Sequence, residues 1–149
     1  MFSVRDILFL NTRLQNIGRI QSDLCTFCQT SPETLEHFFY RCSFSTEFWN
    51  KFENFWLTAT RNQIKLDYIN IRLGILDQRS NLLNYFIILG KLYLWNCRKN
   101  KQVPLFLPFE DIVKRRYEIE KLMASQSILN LKYFHAEWNL VLNNNPILL

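Results

Sequence analysis

Most of the cysteine and histidine residues of this chain lie between positions 25 and 42. Three of the four cysteines and one of the two histidines occur there: Cys25, Cys28, His37 and Cys42. A Cys-x2-Cys pair can fold into a tight turn that presents both sulfurs to one Zn2+, which prefers four thiolate or imidazole ligands in a tetrahedron. The spacing therefore predicts a single Cys-Cys-His-Cys zinc site. A disulfide or a set of unrelated buried thiols is the alternative interpretation.

A helix is expected to place the second ligand pair. Four residues separate His37 from Cys42, about one helical turn plus a step, so a helix that begins near Glu33 and unwinds by Cys42 would direct both side chains inward. Residues 31–33, Ser-Pro-Glu, are predicted to start it, because Ser caps helices, Pro is tolerated in the first turn and Glu suits the positive end of the dipole. Four protein ligands leave no open position for water or substrate, which indicates a structural site.

Length and composition indicate one folded intracellular domain. The chain has 149 residues, 48% of them hydrophobic, with only three Gly and four Pro, which is typical of a folded domain and not of a disordered chain. No secretory signal is visible, so we expect reduced cysteines and a location in the nucleus or cytoplasm. The most apolar segment, residues 82–97, is shorter than the roughly 20 residues that a bilayer span needs. No membrane partner is expected.

Charge is distributed unevenly along the chain. Residues 21–57 carry two basic and five acidic side chains, whereas residues 78–149 carry ten basic and five acidic ones. Binding to a polyanion depends on Lys and Arg that displace counterions, so contact with RNA or DNA is expected on the C-terminal half. The candidate residues are Arg98, Lys99, Lys101, Lys114, Arg115 and Arg116. For the first three, favourable interaction with a helix C-terminus is an equally good explanation.

Hydrophobic periodicity predicts a mostly α-helical domain with the zinc module near its N-terminus. Residues 1–20 are predicted to form an N-terminal helix leading into the module, 21–57 the module with a following aromatic helix, and 58–149 a helical part packed with it. The individual helices are expected at residues 3–15, from Ser43 or Ser45 to about 57, 80–100, from Pro108 to about 121, and 131–142. Alternating apolar residues at 69–75 predict a short strand or extended segment. Cys97 is expected to be a buried thiol and His135 a surface residue.

The sequence lacks the common catalytic motifs. It has no Gly-rich phosphate loop, no Gly-x-Ser-x-Gly elbow, no His-Glu-x-x-His pair and no Asp-Asp dipeptide of the kind that holds two metal ions in polymerases. We therefore expect no enzyme activity from this chain alone and no small-molecule substrate. Asp23, Glu33 and Glu36, which lie near the ligands, are interpreted as capping and solvating residues.

The residues around the ligands resemble a known family. The run Asp23–Cys28, then Glu33–Phe39 and Cys42, followed by Phe48-Trp49, resembles the zinc-binding C-terminal region of non-LTR (LINE-type) retrotransposon reverse transcriptases. The resemblance covers most of the chain, with its strongest motif in the first third. It implies a parent protein with an endonuclease and a polymerase upstream. It also implies that this region helps to hold template RNA or target DNA during target-primed reverse transcription.

Two other functions stay open. In one, the chain is an interaction or scaffold module whose aromatic helix, from Phe44 to Trp56, packs on the polymerase domain or on another chain; the acidic surround of the zinc ligands favours this. In the other, it is a decayed element fragment without a selected function. Because the chain starts at Met1 directly in a predicted helix, it is expected to be a piece of something larger.

Overall fold

The fold is built from helices connected by short irregular segments. The computed structural model describes residues 8–76 and 81–126, together with Phe134 and Trp138. The helices in these residues are α1 (Asn11–Asn16), a π-helical turn (His37–Arg41), α2 (Ser43–Thr60), α3 (Tyr68–Leu73), α4 (Asn81–Lys99) and α5 (Phe106–Ala124). The described residues form no β-strand and contain only an isolated antiparallel bridge between Leu24 and Pro32. The predicted mostly α-helical fold is confirmed.

Helix α2 supplies the aromatic centre of the core. Phe48 and Phe52 are buried almost completely, at 1% and 0% exposure, and Phe55 and Trp56 are buried with them. The Phe48 ring lies 5.2 Å from that of Phe109 on α5. The prediction that this stripe forms the core is confirmed. These four rings are therefore unavailable as a docking surface for another protein.

Helix α1 is shorter than its sequence pattern predicts. Residues 8–10 are not helical, and residues 3–7 lie outside the described part of the chain. Leu10 precedes the helix with an extended backbone and is buried in the core, which sets the start at Asn11. The end is as predicted: Gly18 has a φ of +70°, a left-handed conformation that Gly adopts without strain.

The short strand or extended segment predicted at residues 69–75 is wrong for residues 69–73, which lie in α3. Asp67 accepts a hydrogen bond from the Asn70 amide (2.7 Å), and the Asn70 side chain accepts one from the Asp67 amide (3.2 Å). This reciprocal pair is a capping box, which starts a helix by satisfying amide groups that would otherwise have no partner. Ile71 is fully buried, whereas Ile69 and Leu73 are exposed. The alternating apolar residues therefore do not share one face.

Helix α4 matches its predicted range closely. It spans Asn81–Lys99, where residues 80–100 were expected, and buries Phe86, Ile87 and Leu94 almost completely. Cys97 is also buried, as predicted. Within the described residues, no helix combines the length and the apolar composition needed to cross a bilayer.

Helix α5 begins two residues before the predicted start. It starts at Phe106, so Pro108 occupies its third position, where the missing amide has no intrahelical partner to lose. Val113 and Tyr117 are buried, and Arg115 and Arg116 are exposed, as predicted.

The predicted last helix lies mostly outside the described residues, as does His135. Of residues 131–142 the structure describes Phe134 and Trp138, and both are buried. The Trp138 indole N–H donates to Glu120 on α5 (2.9 Å). These two aromatic side chains extend the core along α5.

Gly90 on α4 leaves room for two aromatic rings of α2. A Cβ atom at this position would lie 2.8 Å from Trp49 Cη2 and 3.2 Å from Phe48 Cε1, and both rings are buried. Gly90→Ala would ordinarily stabilise a helix interior by about 0.5–1 kcal/mol. Here we predict that it lowers the free energy of unfolding by about 1–3 kcal/mol through overpacking.

Urea denaturation of the metal-loaded chain measures this effect. Asn96→Ala, at an exposed position of the same helix, is the control and should stabilise the fold slightly. A rise in stability for Gly90→Ala would show that the two helices are not in close contact there.

Candidate metal centre

A short hairpin presents the first ligand pair. Its backbone hydrogen bonds run from Cys25 N to Ser31 O (2.8 Å) and from Glu33 N to Asp23 O (2.7 Å). Between its arms Gln29 adopts a left-handed backbone, with a φ of +55°, and donates its amide to Cys25 O (3.0 Å). This bond closes the Cys-x2-Cys turn, so both sulfurs lie on the same side of the hairpin tip.

The helix after this hairpin starts later than predicted. Residues 31–33 belong to the second arm of the hairpin, so the expectation that they start the helix is wrong. Instead, the Thr34 hydroxyl accepts a hydrogen bond from the His37 amide (3.1 Å), as an N-cap residue does. The helix itself begins at Leu35. Glu33 is directed into the protein by its place in the hairpin and is fully buried.

A π-helical turn aligns the second ligand pair. In an α-helix, at about 100° per residue, His37 and Cys42 would be about 140° apart around the axis. The Cys42 amide instead donates to His37 O, five residues earlier (2.7 Å). This wider turn brings the two residues closer to the same side of the helix. The helix then ends at Cys42, whose backbone is extended. The predicted unwinding by Cys42 is confirmed.

Side chains of α2 satisfy the carbonyl groups at the end of this turn. A helix end leaves its last carbonyls without intrahelical partners. The bonds that replace them are Ser45 Oγ to Phe38 O (2.6 Å), Trp49 Nε1 to Phe39 O (2.7 Å) and Thr46 Oγ1 to Tyr40 O (2.7 Å). The start of α2 is thus tied to the backbone that carries two of the ligands.

The four predicted ligands come together in a single cluster. Their ligand atoms all lie within 4.8 Å of one another. Cys25 Sγ is 3.9 Å from Cys42 Sγ, and Cys28 Sγ is 3.2 Å from His37 Nε2. A tetrahedral site with Zn–S of about 2.3 Å and Zn–N of about 2.0–2.1 Å would separate two sulfurs by about 3.8 Å and a sulfur from a nitrogen by about 3.6 Å. The cluster therefore has the dimensions of one tetrahedral metal site, and all four cysteines are free thiols.

Hydrogen bonds and burial act in opposite directions on the pKa values of the two buried thiols, and burial acts to raise both. The hydrogen bond between Cys25 and Cys42 raises the pKa of the donor, Cys25, and lowers the pKa of the acceptor, Cys42. Backbone amides favour the thiolate in both, from Phe27 and Cys28 toward Cys25 and from Phe44 and Ser45 toward Cys42. Such outer donors orient metal ligands and stabilise their negative charge. With four protein donors, the site is suited to a structural ion.

A buried ion pair joins this region to α4. The Glu33 carboxylate is 0% exposed and accepts hydrogen bonds from the amides of Asn11 (3.1 Å) and Thr26 (2.7 Å). Its charged partner is Arg98, whose Nε lies 2.7 Å away and whose side chain is 12% exposed. Arg98 also lies over the Trp95 ring, 4.9 Å from the centroid. Glu33 is therefore a buried member of an ion pair. The prediction that it is a solvating residue is wrong.

The sequence offered little indication of this ion pair. Arg98 and Glu33 are 65 positions apart, and Arg98 sits in a basic run with Lys99 and Lys101 that suggested a common role. The structure separates them, since Arg98 is committed to Glu33. Lys99, Lys101, Arg115 and Arg116 are exposed and Lys114 is half-buried. None of these five takes part in an ion pair within the described residues.

Fold and site together define a small helical domain with a metal-binding group of three cysteines and one histidine. Residues 2–49 match the family described as zinc-binding in reverse transcriptase. The matched range includes α1, the hairpin, the π-helical turn and the first residues of α2. The resemblance to a reverse-transcriptase zinc-binding region is confirmed for this part of the chain. Neither curated proteins nor solved structures gave a match.

We predict that loss of the metal unfolds at least residues 23–49. Structural zinc contributes about 10–16 kcal/mol in small zinc-binding peptides, which is similar in size to the whole stability of a typical domain, roughly 5–15 kcal/mol. Cys28→Ser, or a strong chelator, should abolish one equivalent of bound metal by elemental analysis and remove the thermal transition of this region.

Cys97→Ala is the matched control, because Cys97 is buried away from the cluster. It should keep the metal stoichiometry of the unaltered chain. A chelated chain that melts unchanged would contradict the assignment of the site.

We also predict that Glu33→Gln destabilises the fold by about 3–5 kcal/mol, because it leaves the Arg98 charge buried without a counter-ion. Glu36→Gln removes a carboxylate from an exposed pair with Arg41 and should cost less than about 1 kcal/mol. Urea unfolding of zinc-saturated protein compares the two. If both substitutions lowered the free energy of unfolding by the same small amount, the buried pair would contribute no more to stability than the exposed pair.

Proposed function

We propose that this chain is the zinc-binding module of a LINE-type reverse transcriptase and holds RNA or DNA on the basic surface of its C-terminal half. The observation that carries the proposal is the Cys25, Cys28, His37 and Cys42 cluster inside a segment that matches reverse-transcriptase zinc-binding regions. Zn2+ is the ion that such a thiolate and imidazole set favours in a tetrahedron. The module would act inside the cell, in nucleus or cytoplasm, where its thiols stay reduced.

In this proposal the metal stabilises the fold and does not contact the nucleic acid. All four donors are protein atoms, and residues 21–57 around them are net acidic. Catalysis would belong to the parent protein's polymerase and endonuclease. The module would contribute affinity and position, since cations that contact phosphates carry no sequence information by themselves.

Two groups of exposed cations support phosphate binding. Lys99 and Lys101 lie at the C-terminal end of α4, and Arg115 and Arg116 lie on α5, with Lys114 half-buried beside them. None of these five cations forms an ion pair with a carboxylate within the described residues. Arg98 is not included, because its guanidinium is bound to Glu33.

The backbone at Lys101 strengthens the case for this residue. Gln102 N bonds to Cys97 O (2.9 Å) and Lys101 N to Arg98 O (3.1 Å), which is the Schellman pattern of a helix end. Lys101 occupies the left-handed position of that motif, with a φ of +53°, where Gly is strongly preferred and another residue costs roughly 1–2 kcal/mol. Local backbone preference does not explain a lysine here, whereas interaction of its ammonium group with the helix C-terminus or with a phosphate would.

We predict that Lys99→Ala/Lys101→Ala weakens binding to single-stranded RNA and DNA and lowers the salt dependence. Each phosphate contact contributes about 0.7 to the slope of log K against log salt for single strands. Losing two should make the slope shallower by about 1.4. Fluorescence anisotropy with labelled single-stranded RNA, structured RNA and single-stranded DNA, at about 50 and 200 mM salt, measures this.

Lys51→Ala/Lys65→Ala is the matched control, because it removes the same charge from exposed lysines that pair with Glu47 and Glu53. Its salt slope should stay unchanged. Lys101→Gly distinguishes an effect on binding from an effect on folding. It should raise the free energy of unfolding and at the same time lower the affinity for RNA and DNA. No binding at low salt, or binding without salt dependence, would contradict the proposal.

A further inference from the structure

A half-open apolar groove lies between the π-helical turn, α3 and α4. Its volume is about 300 Å³, and its walls include Leu35, Tyr68, Ile71, Ile88, Leu92 and Trp95. Ile88 and Leu92 lie one turn apart on α4 and remain 57% and 49% exposed. The described residues therefore leave this side of α4 uncovered, although apolar side chains on a helix usually pack against another element.

The groove continues into a second one of about 390 Å³. The two share Leu8, Leu35 and Tyr68, and the second reaches Thr12 and Thr34 beside the hairpin. Both grooves are open to solvent, and Arg13 and Glu36 are the charged residues that line the second one. This open shape suits a segment of polypeptide better than a compact small molecule, which requires a more enclosed site.

Charge at the first groove favours an anionic occupant. Arg72 and Lys91 line it, and none of its described lining residues is acidic. Neither cation takes part in an ion pair within the described residues. The Lys91 ammonium donates only a long hydrogen bond, 3.5 Å, to Arg72 O, and burial lowers the pKa of Lys91. A carboxylate placed here would neutralise a charge that is now partly desolvated.

The lining disfavours nucleic acid as the occupant. Half of the ten lining residues are aliphatic, three are aromatic and two are basic. Single-stranded nucleic acid is held by cations along its backbone and by aromatic stacking on its bases, and the aliphatic half of the lining offers neither. The basic surface proposed for RNA or DNA is formed by different residues, on α5 and at the end of α4. The groove is thus independent of that role.

We propose that this groove docks an acidic amphipathic segment of another polypeptide. Its apolar side chains would lie against Ile88, Leu92 and Tyr68, and its carboxylates would pair with Arg72 and Lys91. This is the helix-in-groove mode, in which anchors spaced by one helical turn fill an apolar surface. It places protein interaction on α4, and not on the α2 aromatic stripe.

A peptide selection tests the proposal without assuming a particular partner. Random peptides of about 16 residues, roughly four helical turns, are displayed on phage and selected on the zinc-loaded full chain. The enriched peptides should be acidic, with apolar residues one turn apart. Their affinity should fall about tenfold or more on Leu92→Asp, a change of about 1.4 kcal/mol or more, and should be unchanged on Leu122→Asp, an exposed leucine of α5.

Charge reversal gives the second measurement. Selection on Arg72→Glu/Lys91→Glu should enrich basic peptides in place of acidic ones. Lack of enrichment, enrichment without a charge preference, or peptides that bind Leu92→Asp undiminished would overturn the proposal. So would displacement of the peptides by single-stranded RNA. Dimerisation of the chain in sedimentation that Leu92→Asp abolishes would instead identify a second copy as the occupant and would also overturn it.

Discussion

The buried pair between Glu33 and Arg98 is the interaction on which the arrangement of this domain depends. It connects a hairpin, the start of α1 and the last turn of α4 at one point from which water is excluded. A buried charge is tolerated only when its partners are well placed, and here the carboxylate has two backbone amides and one guanidinium. These partners come from distant parts of the chain. The pair therefore stabilises the fold and also fixes the position of the hairpin relative to α1 and α4.

The metal cluster and the ion pair have complementary roles. The cluster closes a local unit, the hairpin and the π-helical turn, whose ligands lie within eighteen positions of one another. Such a unit has too small a core to be stable alone, which is the usual reason for a structural ion. The ion pair then attaches this unit to the helices that bury the large aromatic side chains. The basic residues considered for nucleic-acid binding lie at the end of α4 and on α5, away from the ligands in sequence.

Local sequence patterns predicted the parts of the structure that local interactions determine. The ligand group followed from the spacing of Cys25 and Cys28, and α2 and α4 followed from apolar periodicity sustained over several turns. The same patterns failed at residues 69–75, where the capping box at Asp67 outweighed an alternating sequence. They also failed for Glu33, because its role depends on a residue 65 positions away. A short segment contains too few residues to show a clear helical or strand period. A polar contact between distant residues leaves no periodic pattern in the sequence.

The three bonds between the π-helical turn and α2 have a thermodynamic consequence. Phe38, Phe39 and Tyr40 lie between two of the ligands, and their carbonyls accept from Ser45, Trp49 and Thr46. Any distortion of the ligand geometry therefore changes the position of the Trp49 ring, which is packed in the core. We therefore expect ion binding and core packing to be coupled, so that a metal affinity measured for this chain would include the free energy of ordering α2.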